Sequence, residues 1–394
     1  MGFSKTVVIG VCGGIAAYKA LDVISDLKKK NININVIMTK NATKFVTPLT
    51  FQALSQNMVV TDMFAEPKAW EIQHISLAKK ADLMLILPAT ANIIGKVANG
   101  IADDMLSTTI MATKAPVIFA PAMNTNMFAN PIVKENINKL KQHGYNFVSP
   151  SSGRLACGDV GEGKLADTKL ISAIVCSMLY DIKDMTEKRV LVTAGPTISP
   201  IDPVRYLSNK STGKMGYAIA EEARDRGAKV TLISGPTSLE HPFGINVINV
   251  KTNEEMYNEV LKHFDSQDIV IKSAAVADYK VEQYSPKKIK KNNERLEIKL
   301  IKDNDILKKL GELKTKQILV GFAAESNDLI ENAEAKLRNK NLDYIVANDI
   351  TSSDTGFASD NNKVVILSKH GEIINLDKMP KKMVARELFN FINV

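Results

Sequence analysis

Two apolar runs, Leu83-Met-Leu-Ile-Leu87 and Pro116-Val-Ile-Phe-Ala120, each stop abruptly at a small polar loop. Continuous apolar runs of about five residues bounded by proline suit strands buried on both faces. A helical pattern from Ile94 to Ala112 separates them, so the stretch predicts a β-α-β unit. In an open parallel sheet a ligand sits beyond the carboxyl ends of the strands. The loops Pro88–Ile93 and Pro121–Met127 would lie side by side there. Their Ala, Thr and Asn residues leave room for a flat ring and supply amides for its edge.

At 394 residues the chain exceeds what one core usually supports, so two domains are expected. The helical pattern Leu170–Asp181 would close the first, and Asp184-Met-Thr-Glu-Lys188 would be a polar link, giving domains 1–184 and 185–394. The net charge of +8 is spread over both halves without a basic arm, which disfavours nucleic acid as a partner. No apolar run is long enough for a membrane helix, and the one after Lys5 breaks at Gly10, unlike a secretory signal. Three cysteines, Cys12, Cys157 and Cys176, cannot form a closed disulfide set, which points to a cytoplasmic protein.

In the first half, strand Val7–Gly10 runs through Gly13-Gly14 into a helix, Ile15 to Lys29. Such a glycine pair is either a phosphate seat of exposed amides or a plain tight turn. The next strand, Asn35–Met38, ends in Thr39-Lys40-Asn41, with no acid to hold an adenosine ribose. That disfavours a nicotinamide oxidoreductase and leaves a mononucleotide with one phosphate. His74 precedes the Leu83 strand and is a candidate for catalysis or for packing. Four glycines between Gly153 and Ala166 predict a mobile flap, which would leave Cys157 exposed for proton transfer, whereas Cys12 and Cys176 read as packing.

The second half repeats the grammar: strand Val190–Thr193, a long loop to Gly216, a helix to Arg226 and a strand from Lys229 to Ile233. Long loops rich in hydrogen-bonding side chains tend to be functional, although Gly213-Lys214 lacks the P-loop spacing. The run from Ile269 to Asp278 again passes from strand into small loop and ends in an acid. Lys336 and Lys340, four apart, share a helical face. Separately, these read as a cap, a solvated face and, for Phe322, core packing. Together, an acid, several lysines and an aromatic at strand ends suit a nucleoside triphosphate with a metal ion. Lys363–Leu367, Ile373–Leu376 and a helix near Met379–Ile392 read as edge strands and a closing helix without chemistry.

His74, Pro88-Ala-Thr-Ala-Asn92, Pro121-Ala-Met-Asn124 and Ala156-Cys-Gly-Asp-Val-Gly-Glu-Gly163 resemble, in order, the motifs of flavin-dependent phosphopantothenoylcysteine decarboxylases. Thr90 and Ile93 stand where that family commonly has Ser and Thr. The resemblance implies FMN held by Gly13, Gly14, Ile15, Thr39, Ala89, Thr90, Ala91 and Asn92. It also implies oxidative decarboxylation through a thioaldehyde, with His74 assisting, Asn124 holding the substrate carboxylate and Cys157 donating the last proton.

Ala194-Gly-Pro-Thr197, Asp202-Pro-Val-Arg-Tyr206, Ser208–Gly216, Ala274–Tyr279, Lys288-Ile-Lys-Lys291 and Gly321–Glu325 resemble phosphopantothenate-cysteine ligase. The whole chain is therefore similar to the bifunctional bacterial enzymes of coenzyme A synthesis. The resemblance implies an α/β fold of two Rossmann-like parallel-sheet domains acting on 4′-phosphopantothenate, cysteine and CTP. It implies CTP contacts at Lys272, Ser273, Ala274, Asp278, Lys288, Asp303, Asn304, Asp305, Ile306, Phe322, Lys336 and Lys340. Magnesium would sit at Asp278, Lys288 would be catalytic, and Asn209 would act on an acyl-cytidylate. Asp303-Asn-Asp-Ile306 replaces the family's Asn-Pro-Asp-Ile. A homo-oligomer is implied, a dodecamer of decarboxylase trimers and ligase dimers. The competing reading is a non-catalytic flavin- and nucleotide-binding regulatory module. Regulatory relatives often lack a catalytic residue, whereas His74, Asn124, Cys157, Asn209, Asp278 and Lys288 are all present.

Overall fold

A computed structural model describes residues 5–64, 71–156, 158–290, 296–325, 329–349 and 359–392. The chain divides into two compact units at Tyr180/Asp181. No described helix is long and apolar enough to cross a membrane.

The first unit is built on β1 (Thr6–Val11), β2 (Asn33–Met38), β3 (Val59–Val60), β4 (Leu83–Ala89), β5 (Val117–Pro121) and β6 (Asn146–Phe147). They form one parallel sheet in the order β3-β2-β1-β4-β5-β6. Side chains alternate across a strand. Val7, Ile9 and Val11 of β1 therefore pack with Val23, Ile24, Leu27, Ile171 and Val175 on one face. Val8 and Cys12 pack with Ile93, Ile94, Val97, Leu106 and Ile110 on the other. Every residue of β4 is buried. Each such Leu or Ile contributes about 1.5–3 kcal/mol. The strand order reverses between β1 and β4, which is where the sheet opens a crevice.

Three local features differ from the sequence reading. The Ile94–Ala112 pattern is two helices, Ala91–Ala98 and Met105–Ala112. Asp104 stops the periodicity: its Oδ1 accepts from the Ser107 amide (2.8 Å), and Ser107 Oγ accepts from the Asp104 amide (3.2 Å), closing a capping box. The helix after Gly14 opens as a 3-10 turn, Ile15–Lys19, before Ala20–Lys29. The glycine-rich stretch is an antiparallel hairpin, β7 (Ser151–Arg154) with β8 (Val160–Lys164). Two of its glycines serve close approach. At Gly163 φ is +127°, a Cβ would run into the Met123 carbonyl oxygen, and the Met123 amide donates to Gly163 O (2.9 Å). A Cβ at Gly161 would meet the Thr125 side chain.

The second unit opens with β9 (Arg189–Ala194) and a hairpin of β10 (Ile198–Pro200) and β11 (Tyr206–Ser208), followed by β12 (Lys229–Ser234), β13 (Asn246–Asn249) and β14 (Ile269–Lys272). A second hairpin joins β15 (Tyr279–Val281) to β16 (Leu300–Lys302), and β17 (Ile318–Glu325), β18 (Tyr344–Asp349), β19 (Asn361–Ser368) and β20 (Ile373–Pro380) complete it. The sheet order is β13-β12-β9-β14-β17-β18-β19-β20. It is parallel as far as β18, and β19 and β20 extend it antiparallel. Helices Lys214–Asp225 and Lys381–Ile392 cover one face and Asn253–Phe264, Ile306–Leu313 and Leu329–Asn339 the other. The reversal here lies between β9 and β14.

Gly163→Ala should destabilise the first unit by about 1–3 kcal/mol, since it adds both φ strain and a backbone clash. Urea denaturation checks this, with Gly100→Ala as the comparison, where a Cβ meets nothing within 4 Å.

Candidate active sites

In the first unit a cavity of about 860 Å³ opens at the β1/β4 reversal. Its walls come from the loops after β1 (Gly13, Gly14, Ile15), β2 (Thr39, Lys40, Asn41), β4 (Thr90, Ala91, Asn92) and β5 (Asn124), closed by hairpin residues Arg154–Ala156 and Gly163–Leu165. A Cβ on Gly13 would overlap Asn41, so only glycine lets the β1 and β2 loops meet. Thr90 is an N-cap, its Oγ1 accepting from the Ile93 amide (3.5 Å). Asn124 Nδ2 donates to Asp159 Oδ2 (2.7 Å) and Asn124 Oδ1 accepts from the Asn126 amide (2.9 Å), so this side chain ties the β5 loop to the hairpin.

Two sequence candidates stand off this wall. Ala89 is wholly buried within β4, and His74 is half-buried on helix Gln73–Lys80. Cys157 lies outside the described residues. Conversely, Cys12, read as packing, is on the wall. Burial, with Asp104 nearby, pushes its thiol up to about 12 despite hydrogen bonding to Thr90, so it presents a neutral, inert surface. The sequence reading also missed Lys96, whose Nζ bridges Asp103 (2.6 Å) and Asp104 (2.8 Å) beside the cavity. Burial works against the Asp104 carboxylate, but Lys96 and the Ser107 amide hold it below its ordinary range.

The second unit has its own cavity, of about 960 Å³, at the β9/β14 reversal. Asn209, Lys272, Ser273, Ala274, Asp278, Phe322, Lys336 and Lys340 line it. Burial, with Lys340 and Lys336 close by, pushes the Lys272 ammonium down to about 8 against the pull of Asp305 and Asp278. Asn209 Nδ2 donates to the Ala275 carbonyl (3.0 Å), fixing its carboxamide at the mouth of the β14 loop.

Lys288, Asp303, Asn304, Asp305 and Ile306 do not line this cavity. Asp305 acts through its neighbours: Oδ1 caps helix Ile306–Leu313 by accepting from the Lys308 amide (3.0 Å), and Oδ2 pairs with Lys340 (3.0 Å). Asp303 pairs with Lys280 (3.4 Å), the Asn304 carbonyl accepts from Asn253, and Ile306 is core. Lys288 is exposed, and its segment is held by a buried acid that the sequence reading quoted without a role. Asp202 Oδ2 accepts from Arg205 Nη2 (2.6 Å) and from the Ile289 amide (3.2 Å), while Arg205 Nη2 also donates to the Ile289 carbonyl (2.9 Å). Arg205 and the surrounding amides hold the Asp202 carboxyl well below its ordinary range. Among the described residues, no group of three His, Cys, Asp or Glu could hold a metal ion.

Comparison with known proteins identifies the class. Residues 3–180 match the family described as Flavoprotein, and residues 185–394 match the DNA/pantothenate metabolism flavoprotein C-terminal domain. The chain is 49% identical to the coenzyme A biosynthesis bifunctional protein CoaBC of Bacillus subtilis, over 99% of this chain and 97% of that one. It is 46% identical to CoaBC of Borreliella burgdorferi over the full length of both. Among solved structures, the C-terminal domain of a CoaBC is 44% identical with a TM-score of 0.47, covering 53% of this chain and 96% of that one. The FMN-dependent cysteine decarboxylase SpaF is 32% identical with a TM-score of 0.39, covering 44% and 97%. The molecule is thus a two-domain flavoprotein of pantothenate metabolism. It belongs to the CoaBC family of bifunctional coenzyme A biosynthesis proteins.

The ammonium of Lys272 is its anion-binding form, complete below about pH 8 and lost above it. Inorganic triphosphate should therefore bind the chain more weakly as pH rises through about 8, and calorimetry at pH 7 and pH 9 measures the difference.

Proposed function

We propose that the chain joins 4′-phosphopantothenate to cysteine in a ligase domain of residues 185–394, at the cavity of the second unit. The resulting 4′-phosphopantothenoylcysteine is then decarboxylated to 4′-phosphopantetheine in a decarboxylase domain of residues 1–184, at the cavity of the first unit. The observation that carries this reading is the presence, in one CoaBC-family chain, of two separate cavities, one with the Gly13-Gly14, Thr39, Thr90 and Asn92 loops on its wall and one with Asn209, Lys272, Asp278, Lys336 and Lys340.

A carboxylate is a poor acceptor for an amine. In the ligase step the pantothenate carboxylate attacks the α-phosphorus of CTP, expelling pyrophosphate and leaving an acyl-cytidylate. The cysteine amine then attacks the acyl carbon and CMP departs. Lys272, Lys336 and Lys340 offset the charge that gathers on the phosphates, in a partly desolvated wall where each cation acts more strongly than in water. Phe322 and Asp278 bound the same wall, and Asn209 holds the acyl intermediate. Lys288 reaches the nucleotide from the tethered segment. Magnesium, when bound with the nucleotide at Asp278, would offset further phosphate charge.

In the decarboxylase step, the fit of FMN is supported by the cavity volume and by the donor set. Ligand pockets of about 300–1,000 Å³ take groups of this size. Thr39 and the Gly13-Gly14 amides would hold its phosphate, and Thr90 and Asn92 the ring edge. FMN, when bound, supplies the two-electron oxidation of the cysteinyl unit and its later reversal. The chain's residues do the rest: Asn124 orients the substrate carboxylate, His74 assists its loss, and Cys157 delivers the final proton. The exposed apolar side chains Leu49, Met58, Phe64 and Ile72 of the first unit support a homo-oligomer, proposed as trimers joined by ligase dimers.

Two variants test the division of labour. Cys157→Ser should release carbon dioxide yet stall before phosphopantetheine. Lys288→Gln should lose acyl-cytidylate formation and keep decarboxylation of supplied phosphopantothenoylcysteine. Normal turnover by Cys157→Ser, or loss of both activities in Lys288→Gln, contradicts the reading.

A further inference from the structure

Lys96 lines the first cavity from helix Ala91–Ala98, four residues after Asn92, so the two share a helical face. The other cations of that wall, Lys19, Lys40, Arg154 and Lys164, come from other elements. Lys96 is held between two acids: its Nζ donates to Asp103 Oδ1 (2.6 Å) and to Asp104 Oδ2 (2.8 Å). Burial works against the Lys96 ammonium, but these two hydrogen bonds keep it above its ordinary range. Its side chain is 20% exposed, that of Asp104 34% and that of Asp103 58%. One ammonium thus stands between two carboxylates, and the cluster has a single net negative charge.

The fold does not need Lys96 to start the next helix. Asp104 Oδ1 already accepts from the Ser107 amide (2.8 Å) and from the Ser107 hydroxyl (2.9 Å). With its donors engaged by two acids, Lys96 is also a poor proton donor. What remains is its field, which in a partly desolvated wall acts more strongly than in water. Asn92 and Thr90 are the groups set to hold the flavin's ring edge, and Lys96 shares the face of Asn92. Reduced FMN carries more negative charge than oxidised FMN, and charge beside the ring is one of the levers by which a protein tunes it. The decarboxylation takes two electrons from the cysteinyl unit and gives two back. A lone cation would favour the first transfer and hinder the second. A cation offset by carboxylates allows both.

We propose that Lys96, with Asp103 and Asp104, sets the electron affinity of the FMN bound in the first cavity. The ammonium favours the reduced cofactor, and the carboxylates restrain that preference so that the electrons can be returned. The inference rests on the decarboxylase reading for the identity of the cofactor.

The test measures the midpoint potential of FMN on the full chain, by equilibration with a dye of known potential, in wild type, Lys96→Met, Lys96→Arg and Asp103→Asn. Lys96→Met should cost reduced FMN about tenfold in affinity relative to oxidised FMN, a fall of about 30 mV for a two-electron couple. Asp103→Asn should raise the potential by a comparable amount, and Lys96→Arg should stay near wild type. Asp103 is exposed and takes no part in the cap, so this variant decides the question alone if Lys96→Met fails to hold FMN. A merely structural bridge would weaken both redox forms of FMN together and leave the potential where it was. If the wild-type chain binds no FMN, the cofactor reading falls and this inference with it. If FMN binds and phosphopantothenoylcysteine is decarboxylated, but the variants leave the potential unmoved or shift it in the same direction, only the inference is wrong.

Discussion

Burial of the central parallel strands on both faces is the constraint from which the rest follows. Once β1 and β4 in one unit, and β9 and β14 in the other, are covered by helices front and back, polar groups such as Lys272 reach a ligand only from the strands' carboxyl ends. Chemistry is driven to the loops at the carboxyl ends, and it collects where the strand order reverses, because only there do neighbouring loops diverge enough to leave a crevice. Both cavities lie at such a reversal.

The two crevices then diverge through their side chains. In the first, small residues, hydroxyls and carboxamides from the β1, β2, β4 and β5 loops stand beside Lys19, Lys40, Lys96, Arg154 and Lys164, with its one buried thiol kept neutral, so it suits a flat ring with a single phosphate. The second gathers lysines from four separate elements, two of which burial has driven towards neutrality. A cation held below its ordinary pKa is a stored cost that a polyanion can return on binding. Supporting acids stand one step behind: Asp305 orients Lys340 and caps a helix, while Asp202 and Arg205 pin the segment that carries Lys288.

Much of this organisation was legible in the sequence because it depends on short-range pattern. The Leu83–Leu87 and Pro116–Ala120 runs announce β4 and β5, and the loops that follow them lie on the first cavity's wall. What stayed hidden depends on one local cap and on contacts distant in sequence. The helix break at Asp104 came from a capping box that overrode an unbroken apolar period. The glycines of the hairpin look like flexibility until the Met123 carbonyl and Thr125 are seen against them. Lys381 sits in the stretch that read as a closing helix without chemistry, Asn348 and Asn362 lie outside every stretch the sequence singled out, and the antiparallel return of β19 onto β18 brings the two asparagines to the cavity wall. Ile306 and Asp305, conversely, carry a motif's residues but serve as core and cap.

The most direct test is the mass of the product formed when the purified chain is given 4′-phosphopantothenate, cysteine, magnesium and either CTP or ATP. The account predicts phosphopantetheine with CTP. Accumulation of phosphopantothenoylcysteine would contradict the decarboxylase half, and the absence of product with either nucleotide would contradict the whole and favour a non-catalytic binding module.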